Sequence, residues 1–249
     1  MNIFENPMPL CMSEMWQHLL DVKGYEMYDK EGILALKSNV NVPWLNYSWV
    51  SSVTAHNLDL LTGFFGKQQF FLTVDEEQNK QSDLLLGKDF EYSCEVPEML
   101  LTLTDFPWDN KSQISAEIEQ VRNEKDLNDW IKVAAEGSDE EEWSVGQWVK
   151  GLFDAKKERI KLFLGRVEKE PAVTSMIFQG NKLSVLFYIS TLPKFRKKGL
   201  GHAVLSATFK DSLAHGVEQC LIYATEMAPG FYQKENFKLT STLHEYWHL

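Results

Sequence analysis

Cysteine is scarce in this chain. Cys11, Cys94 and Cys220 are the only three, widely spaced and with no CxxC pair. An odd count at such spacing argues against a disulfide framework and against a cysteine-ligated zinc site, and it fits a reducing compartment. Basic charge is also short: 25 Lys and Arg stand against 36 Asp and Glu, a net charge of −11 over 249 residues. A general nucleic-acid binder carries a basic footprint, so no nucleic-acid partner is expected, and the acidic balance favours cationic partners. No apolar run approaches the roughly 20 residues of a membrane span. The N-terminal stretch "MNIFENPMPLCMSEMW" has no basic segment leading into an apolar one, which is the pattern of a secretory leader. The expectation is a soluble, cytoplasmic protein with no membrane partner. What the chain does have is 44% hydrophobic residues, enough for a substantial core, and an ordinary 24% charged residues.

The length suits one large domain or two small ones. The clearest break is "TDFPWDNKSQIS", whose Pro107, Asp109, Asn110, Lys111 and Ser112 form a turn-making cluster between two patterned segments. It puts a boundary near Ser112 and divides the chain into residues 1–112 and 113–249. In the first part "EMWQHLLDV" and "HNLDLLTGFF" read as helices, and "GILALKS", "QFFLTVD" and "EMLLTL" as strands.

The second part has a clearer order. "AEIEQV" reads as a strand, and "KDLNDWIKVAAEG" as a helix with Leu127, Trp130, Ile131 and Ala134 on one side and Gly137 as its stop. "SVGQWVKGLFD" is a second helix. "RIKLFLGRVEKE" and "AVTSMIFQGNKLSVLFYIST" give strands, the latter a hairpin turning at Gly180-Asn181. "HAVLSATFKDSLAHG" is a helix, "EQCLIYATE" a buried-strand run, "APGFYQKEN" a short helix and "FKLTSTLHEYW" a last strand. The fold class expected is α/β.

Between the hairpin and its following helix lies "LPKFRKKGLGHA", three cations directly ahead of two glycines. A solvated basic loop, a nucleic-acid contact and a phosphate cradle are the competing readings. At a strand-to-helix junction several amides have no helical partner and the helix dipole adds partial positive charge. Gly199 and Gly201 let the backbone curl and a ligand approach. Together these features suit a pyrophosphate. The Walker pattern GxxxxGK[ST] is absent, and Val204 occupies the third glycine position of a dinucleotide fingerprint.

The stretch resembles the cofactor motif of the GCN5-related N-acetyltransferases (GNAT superfamily), Gln/Arg-x-x-Gly-x-Gly/Ala, with Arg196, Gly199 and Gly201 in place. Downstream, "ATEMAPGFYQKENFK" is similar to that family's segment ending F/L-Y-x-x-x-G-F, with Phe231, Tyr232 and Phe237 in place and Asn236 where the family has glycine. Asn tolerates the left-handed backbone better than most residues. The resemblance covers residues 117–249 and implies a mixed, mostly antiparallel sheet flanked by helices, with acetyl-CoA as co-substrate. It implies that the backbone of Ile189, Ser190 and Thr191 pairs with pantetheine. Arg196 and the amides of Lys197, Lys198, Gly199, Leu200, Gly201 and His202 would hold the pyrophosphate, and Thr225 would stand where the family often has a cofactor-binding asparagine. Tyr232 would be the general acid that protonates the departing thiolate. An isolated tyrosine more often packs than reacts, so this role comes from the motif. Glu226 or water could serve as base. The acceptor implied is a small-molecule or peptide amine. A non-catalytic acyl-CoA-binding or sensor module on the same fold is the alternative, and an interaction scaffold a third. Nothing in the sequence sets an oligomeric state.

Two further stretches call for a reading. "HEYWH" matches the zinc pattern HExxH, but its setting is a strand, where the two histidines lie about 13 Å apart at 3.3 Å per residue. No metal is expected. "SDEEEW" reads as a solvated loop; bordering an acceptor cleft, it would favour a cationic acceptor such as a polyamine, an aminoglycoside-like amine or a lysine side chain. Finally, the first 112 residues resemble a degenerate second copy of the fold. "LLLGKDF" overlays "FYQKENF" and puts Leu85 at the place of Tyr232 and Phe90 at that of Phe237, with no glycine turn ahead of "HNLDLLTGFF". This half is expected to bind no CoA.

Overall fold

The structure, a computed structural model, describes residues 7–109, 112–154, 158–180, 183–224 and 229–248. The chain forms two compact units, the first made of Met1–Met99, Tyr223–Pro229 and Leu239–Leu249 and the second of Leu100–Ile222 and Gly230–Lys238. This partition follows a different line from the sequence boundary near Ser112, because the chain's last strand counts with the first unit.

The first unit contains α1 (Met8–Gln17), β1 (Tyr25–Lys30), β2 (Ile33–Ser38), β3 (Tyr47–Val50), α2 (Ala55–Phe65), β4 (Phe70–Asp75), the short α3 (Glu76–Asn79) and α4 (Ser82–Leu86), and most of β5 (Phe90–Thr102). Its sheet order is β1-β2-β3-β4-β11-β5, where β11 is Lys238–His248. β3 and β4 run parallel, and β11 pairs antiparallel with β4 from Leu243↔Asp75 to His248↔Phe70. Alternation along each strand sends Phe70, Leu72, Val74 and Tyr246 to one face, where they pack with Leu58, Leu61 and Phe65 of α2 and with Leu85 and Phe90. Two strands escape the sequence reading. β1 carries mostly polar residues on an outer position, and β3 is only four residues long, too short for a period to register. α1 also begins earlier than its apolar spacing suggests, with Pro9 in the first turn where a missing N–H does no harm.

The second unit runs β6 (Glu117–Gln120), α5 (Glu124–Ser138), α6 (Glu142–Asp154), β7 (Ile160–Val167), β8 (Glu170–Gln179), β9 (Leu183–Thr191), α7 (Leu200–Ala214), β10 (Gln219–Tyr223) and α8 (Pro229–Lys234). Its sheet order is β10-β9-β8-β7-β6, antiparallel except for β9 and β10. This is the α/β mixed sheet flanked by helices that the sequence implied. α5 starts on Asn123, whose side chain accepts from the Asp126 amide, and is fastened to β7 by Arg166, which donates to Asp126 at 2.7 Å and Asp129 at 3.0 Å. Among the described residues no helix is long and apolar enough to cross a membrane.

Under the end of α7, Lys161 is buried and donates to Asp211 at 2.6 Å, and Gln179 donates to the same carboxylate at 2.9 Å. An ammonium held this deep needs its counter-charge, and stripping that counter-charge costs more than replacing the ammonium, because Asp211 is the more exposed of the two and keeps Gln179 as a donor. Asp211→Asn is therefore expected to cost roughly 2–4 kcal/mol in denaturant unfolding, and Lys161→Met less than half of that. Equal losses would show that the pair is not what holds β7 to α7.

Candidate active site

β9 and β10 pair only over Leu183↔Gln219, Ser184↔Cys220 and Val185↔Leu221. Among the described residues no further rung joins them, although β9 continues to Thr191. Beyond these rungs β9 carries a bulge. Against β8, Met176 faces Phe187 but Thr174 faces Ser190, so three steps on β9 answer two on β8. The surplus is taken up at Tyr188, whose φ is 50°. A left-handed aromatic residue costs of order 1 kcal/mol or more and persists only where packing over-determines it. Here Thr174 Oγ1 donates to the Tyr188 carbonyl at 3.1 Å, and the ring meets Trp130 edge-on at 5.6 Å. Among the described residues the outer edge of Ile189, Ser190 and Thr191 has no neighbouring strand.

The end of α5 presses on that edge. Ser138 and Ser190 share a hydroxyl hydrogen bond of 2.7 Å, and a Cβ on Gly137 would lie 2.7 Å from the Ser190 Cβ. Gly137 is thus no helix stop. α5 runs through it to Ser138 and is capped by Asp139 at φ 58°, and the glycine is there because helix and strand nearly touch. Sequence spacing carries no mark of this contact.

Between β9 and α7 the carbonyls turn inward. Arg196 donates from Nε to the Thr191 carbonyl and from Nη2 to the Gly137 carbonyl, both at 3.0 Å, so its guanidinium clasps β9 and α5. The Lys198 carbonyl accepts from the Gln113 amide at 2.9 Å and from Ser112 Oγ at 3.3 Å, and the Gly199 carbonyl accepts from Ala203. Lys197 and Gly199 take left-handed φ values of 60° and 83°. The amides of Lys197, Lys198, Gly199, Leu200, Gly201 and His202 have no acceptor among the described residues. Six successive donors of this kind at the start of a 15-residue helix are an arrangement that could seat an anion. Lys197 is exposed beside it, while Lys194 pairs with Glu170 and Lys198 lies over the Phe195 ring.

The same loop meets the tyrosine segment. The Phe231 ring edge stands 3.0 Å from where a Gly201 Cβ would be. His202 is buried, bonded through Nδ1 to Glu235 at 2.7 Å and stacked on Phe106 at 5.0 Å. Tyr232 on α8 is 5% exposed and packed against Phe231 and Phe237. Burial, helped by neighbouring Cys220, pushes its phenol far above the ordinary value. Its hydroxyl has no partner among the described residues. It is a neutral donor with its proton uncommitted. Asn236 adopts φ 67° and donates to the Asp105 carbonyl at 2.7 Å, filling the left-handed position expected of it. Thr225 and Glu226 lie outside the described residues.

A third group borders β9. Burial lifts the Tyr188 phenol well above its usual range, with Glu140 adding to the rise and the Trp148 indole N–H opposing it. Glu140, in the acidic stretch between α5 and α6, has its own carboxyl raised by desolvation. The histidines of "HEYWH" are committed elsewhere: β11 is a strand, His244 Nε2 meets Glu76 at 2.8 Å, and His248 stacks on Phe70 at 5.2 Å. Gly137→Ala is expected to destabilise the protein by about 1–3 kcal/mol through overpacking at Ser190. Gly63→Ala on α2, where nothing lies within 4 Å, should be neutral or stabilising. Thermal melts of both variants decide the point.

No protein-family model matches the sequence, and no curated protein does. Solved structures do resemble it. A GCN5-related N-acetyltransferase from Kribbella flavida superposes with a TM-score of 0.73 at 12% identity, over 96% of this chain and 95% of that one. A GCN5-related N-acetyltransferase from Sphaerobacter thermophilus gives 0.65 at 10% identity, over 96% and 89%. A tandem GNAT protein from the clavulanic acid biosynthesis pathway gives 0.61 at 9%, over 99% and 96%. Identity this low speaks for architecture alone, and the architecture agrees nearly end to end: the chain has the fold of the GCN5-related N-acetyltransferases.

Proposed function

We propose that this protein is an acetyl-CoA-dependent N-acetyltransferase that passes the acetyl group to a primary amine by direct attack on the thioester. The observation that carries the reading is the run of six unpartnered amides from Lys197 to His202 at the start of α7. They fit a pyrophosphate, which needs several donors converging on one anion. The open edge of Ile189 and Ser190 fits the amides of pantetheine, which a strand edge binds as it would another strand. The Thr191 carbonyl already accepts from Arg196, so Arg196 acts through position rather than by facing the anion with its charge.

Amides near Ile189 would stabilise the charge that develops on the carbonyl oxygen, a preorganised role that needs no movement. Tyr232 is the general acid for the thiolate. Because burial raises its phenol, it keeps its proton well past neutral pH and is not lost as pH climbs toward the ordinary tyrosine value. The acceptor amine sheds a proton to attack, so the rate rises with pH until the amine is neutral.

The first unit is proposed to bind no CoA. At the β3–α2 junction three donors are occupied by the unit's own groups: Val53 N–H by Gln78 Oε1, Asn57 N–H by Thr54 Oγ1, and Leu58 N–H by the Thr54 carbonyl. Leu85, overlaid on the place of Tyr232, is a core side chain with no proton to give.

Calorimetric titration with acetyl-CoA is expected to give one site per chain, with Gly199→Glu weakening it by roughly 100-fold or more through a like charge set in the anion seat. Two sites per chain, or none in the folded wild type, overturns the assignment. In an amine screen Tyr232→Phe should keep cofactor affinity and lose about 10²–10⁴ in turnover. Binding without turnover on any amine would leave an acyl-CoA-binding module instead.

A further inference from the structure

The strand β11 divides "HEYWH" between two faces. His244, Tyr246 and His248 face the packed side with α2, α3 and β5. Glu245 and Trp247 face the other way. By register Glu245 lies opposite Thr73 and Trp247 opposite Phe71, while on β3 Tyr47 lies opposite Phe71. The rings follow one another across three strands: Tyr47 to Phe71 at 6.0 Å, then Phe71 to Trp247 at 6.1 Å with planes 3° apart. Tyr47, Phe71, Glu245 and Trp247 are each only half-buried.

The carboxylate among these rings is built to be an acceptor. Thr73 Oγ1 donates to the Tyr47 hydroxyl at 2.6 Å, and the Tyr47 hydroxyl donates to Glu245 Oε1. Cys94 Sγ on β5 lies 3.9 Å from Oε2. The other titratable group that senses Glu245 is Tyr223, at the end of β10 and counted with the first unit. Burial holds both phenols neutral well above pH 10. Burial also raises Glu245 from the ordinary carboxylate value, against the two donors that favour its charged form. Among the described residues no Lys, Arg or His pairs with it. A carboxylate equipped with an oriented hydroxyl relay, flanked by aromatic faces and without a cation, lacks one partner. A metal ion would want several oxygen ligands. An ammonium group wants one carboxylate and ring faces beside it.

We propose that the first unit binds an organic ammonium ion, its charged nitrogen on Glu245 and its carbon substituents on Phe71 and Trp247. The assignment is independent of acetyl transfer and of the anion seat. It suits a chain of net charge −11, which draws cations toward its surface. Tyr47 fixes the carboxylate, and Thr73 fixes Tyr47.

The test is calorimetric titration of the full chain with phenethylammonium chloride, beside its neutral analogue 2-phenylethanol. A saturable site is expected for the cation, with the alcohol at least about tenfold weaker, the share a desolvated cation–π and charge contact contributes. Affinity should rise with pH as the Glu245 carboxyl ionises, above the ordinary carboxylate value because burial raises it, and the acid end should show proton release, read as a dependence of the heat on buffer ionisation enthalpy, because a bound cation favours the ionised carboxyl. Glu245→Gln should lose that site and the proton release together, and Trp247→Leu should weaken binding several-fold while keeping the release. If Glu245→Gln does not fold, Tyr47→Phe carries the test: removing a donor to the carboxylate should move the affinity–pH profile to higher pH. A folded Glu245→Gln that binds like wild type, equal binding of the alcohol, or unchanged affinity and profile in Tyr47→Phe overturns the proposal.

Discussion

The chain between β9 and α7 is held by its carbonyls, several of which the protein already engages. Arg196 takes Thr191, residues 112 and 113 take Lys198, and the first turn of α7 takes Gly199. With these acceptors engaged, the amides of Lys197 to His202 have no partner among the described residues, and the left-handed Lys197 and Gly199 curl the chain where they lie. The candidate anion seat is thus a matter of backbone donors rather than of the basic side chains that make the stretch conspicuous. Arg196, the motif's first residue, works as a clasp between α5 and β9.

The two units solve the same local problem differently. In the second unit, the strand-to-helix junction is long and leaves its amides free. In the first, the junction after β3 is short, and Thr54, Asn57 and Gln78 supply side-chain partners, Asn57 itself donating to the Ser52 carbonyl at 2.9 Å. Polar side chains that cap a helix in this way take up some of its first donors, and among the described residues no run of six successive amides is left as it is ahead of α7. The polar interest of the first unit lies instead on its sheet, around Glu245.

Much of this architecture could be read from residue order. Helical spacing in α5, α6 and α7, the apolar run of β10 and the alternation in β7 to β9 place the second unit's elements within a few residues, and the two glycines with the downstream Phe231, Tyr232 and Phe237 mark the site. What escaped has a common cause. The contact of Gly137 with Ser190, the bulge at Tyr188 and the His202–Glu235 bond each join residues far apart in sequence, and no periodicity records such a meeting. The return of β11 to pair with β4 is of the same kind: a strand's alternation says that it has two faces, not which neighbour it will choose.

The bulge at Tyr188 has a mechanical meaning. Glycine is the residue that would adopt its backbone angle without strain, yet the position holds one of the larger rings, wedged against Trp130 and beside Trp148. The ring acts as a peg that keeps a sprung strand from straightening. α5 and α6 hold the peg, so any force that slides either helix is passed through an aromatic side chain to the loose edge at Ile189 and Ser190. The edge is thereby geared to α6 through the ring alone, and to α5 through the ring as well as the Ser138–Ser190 bond.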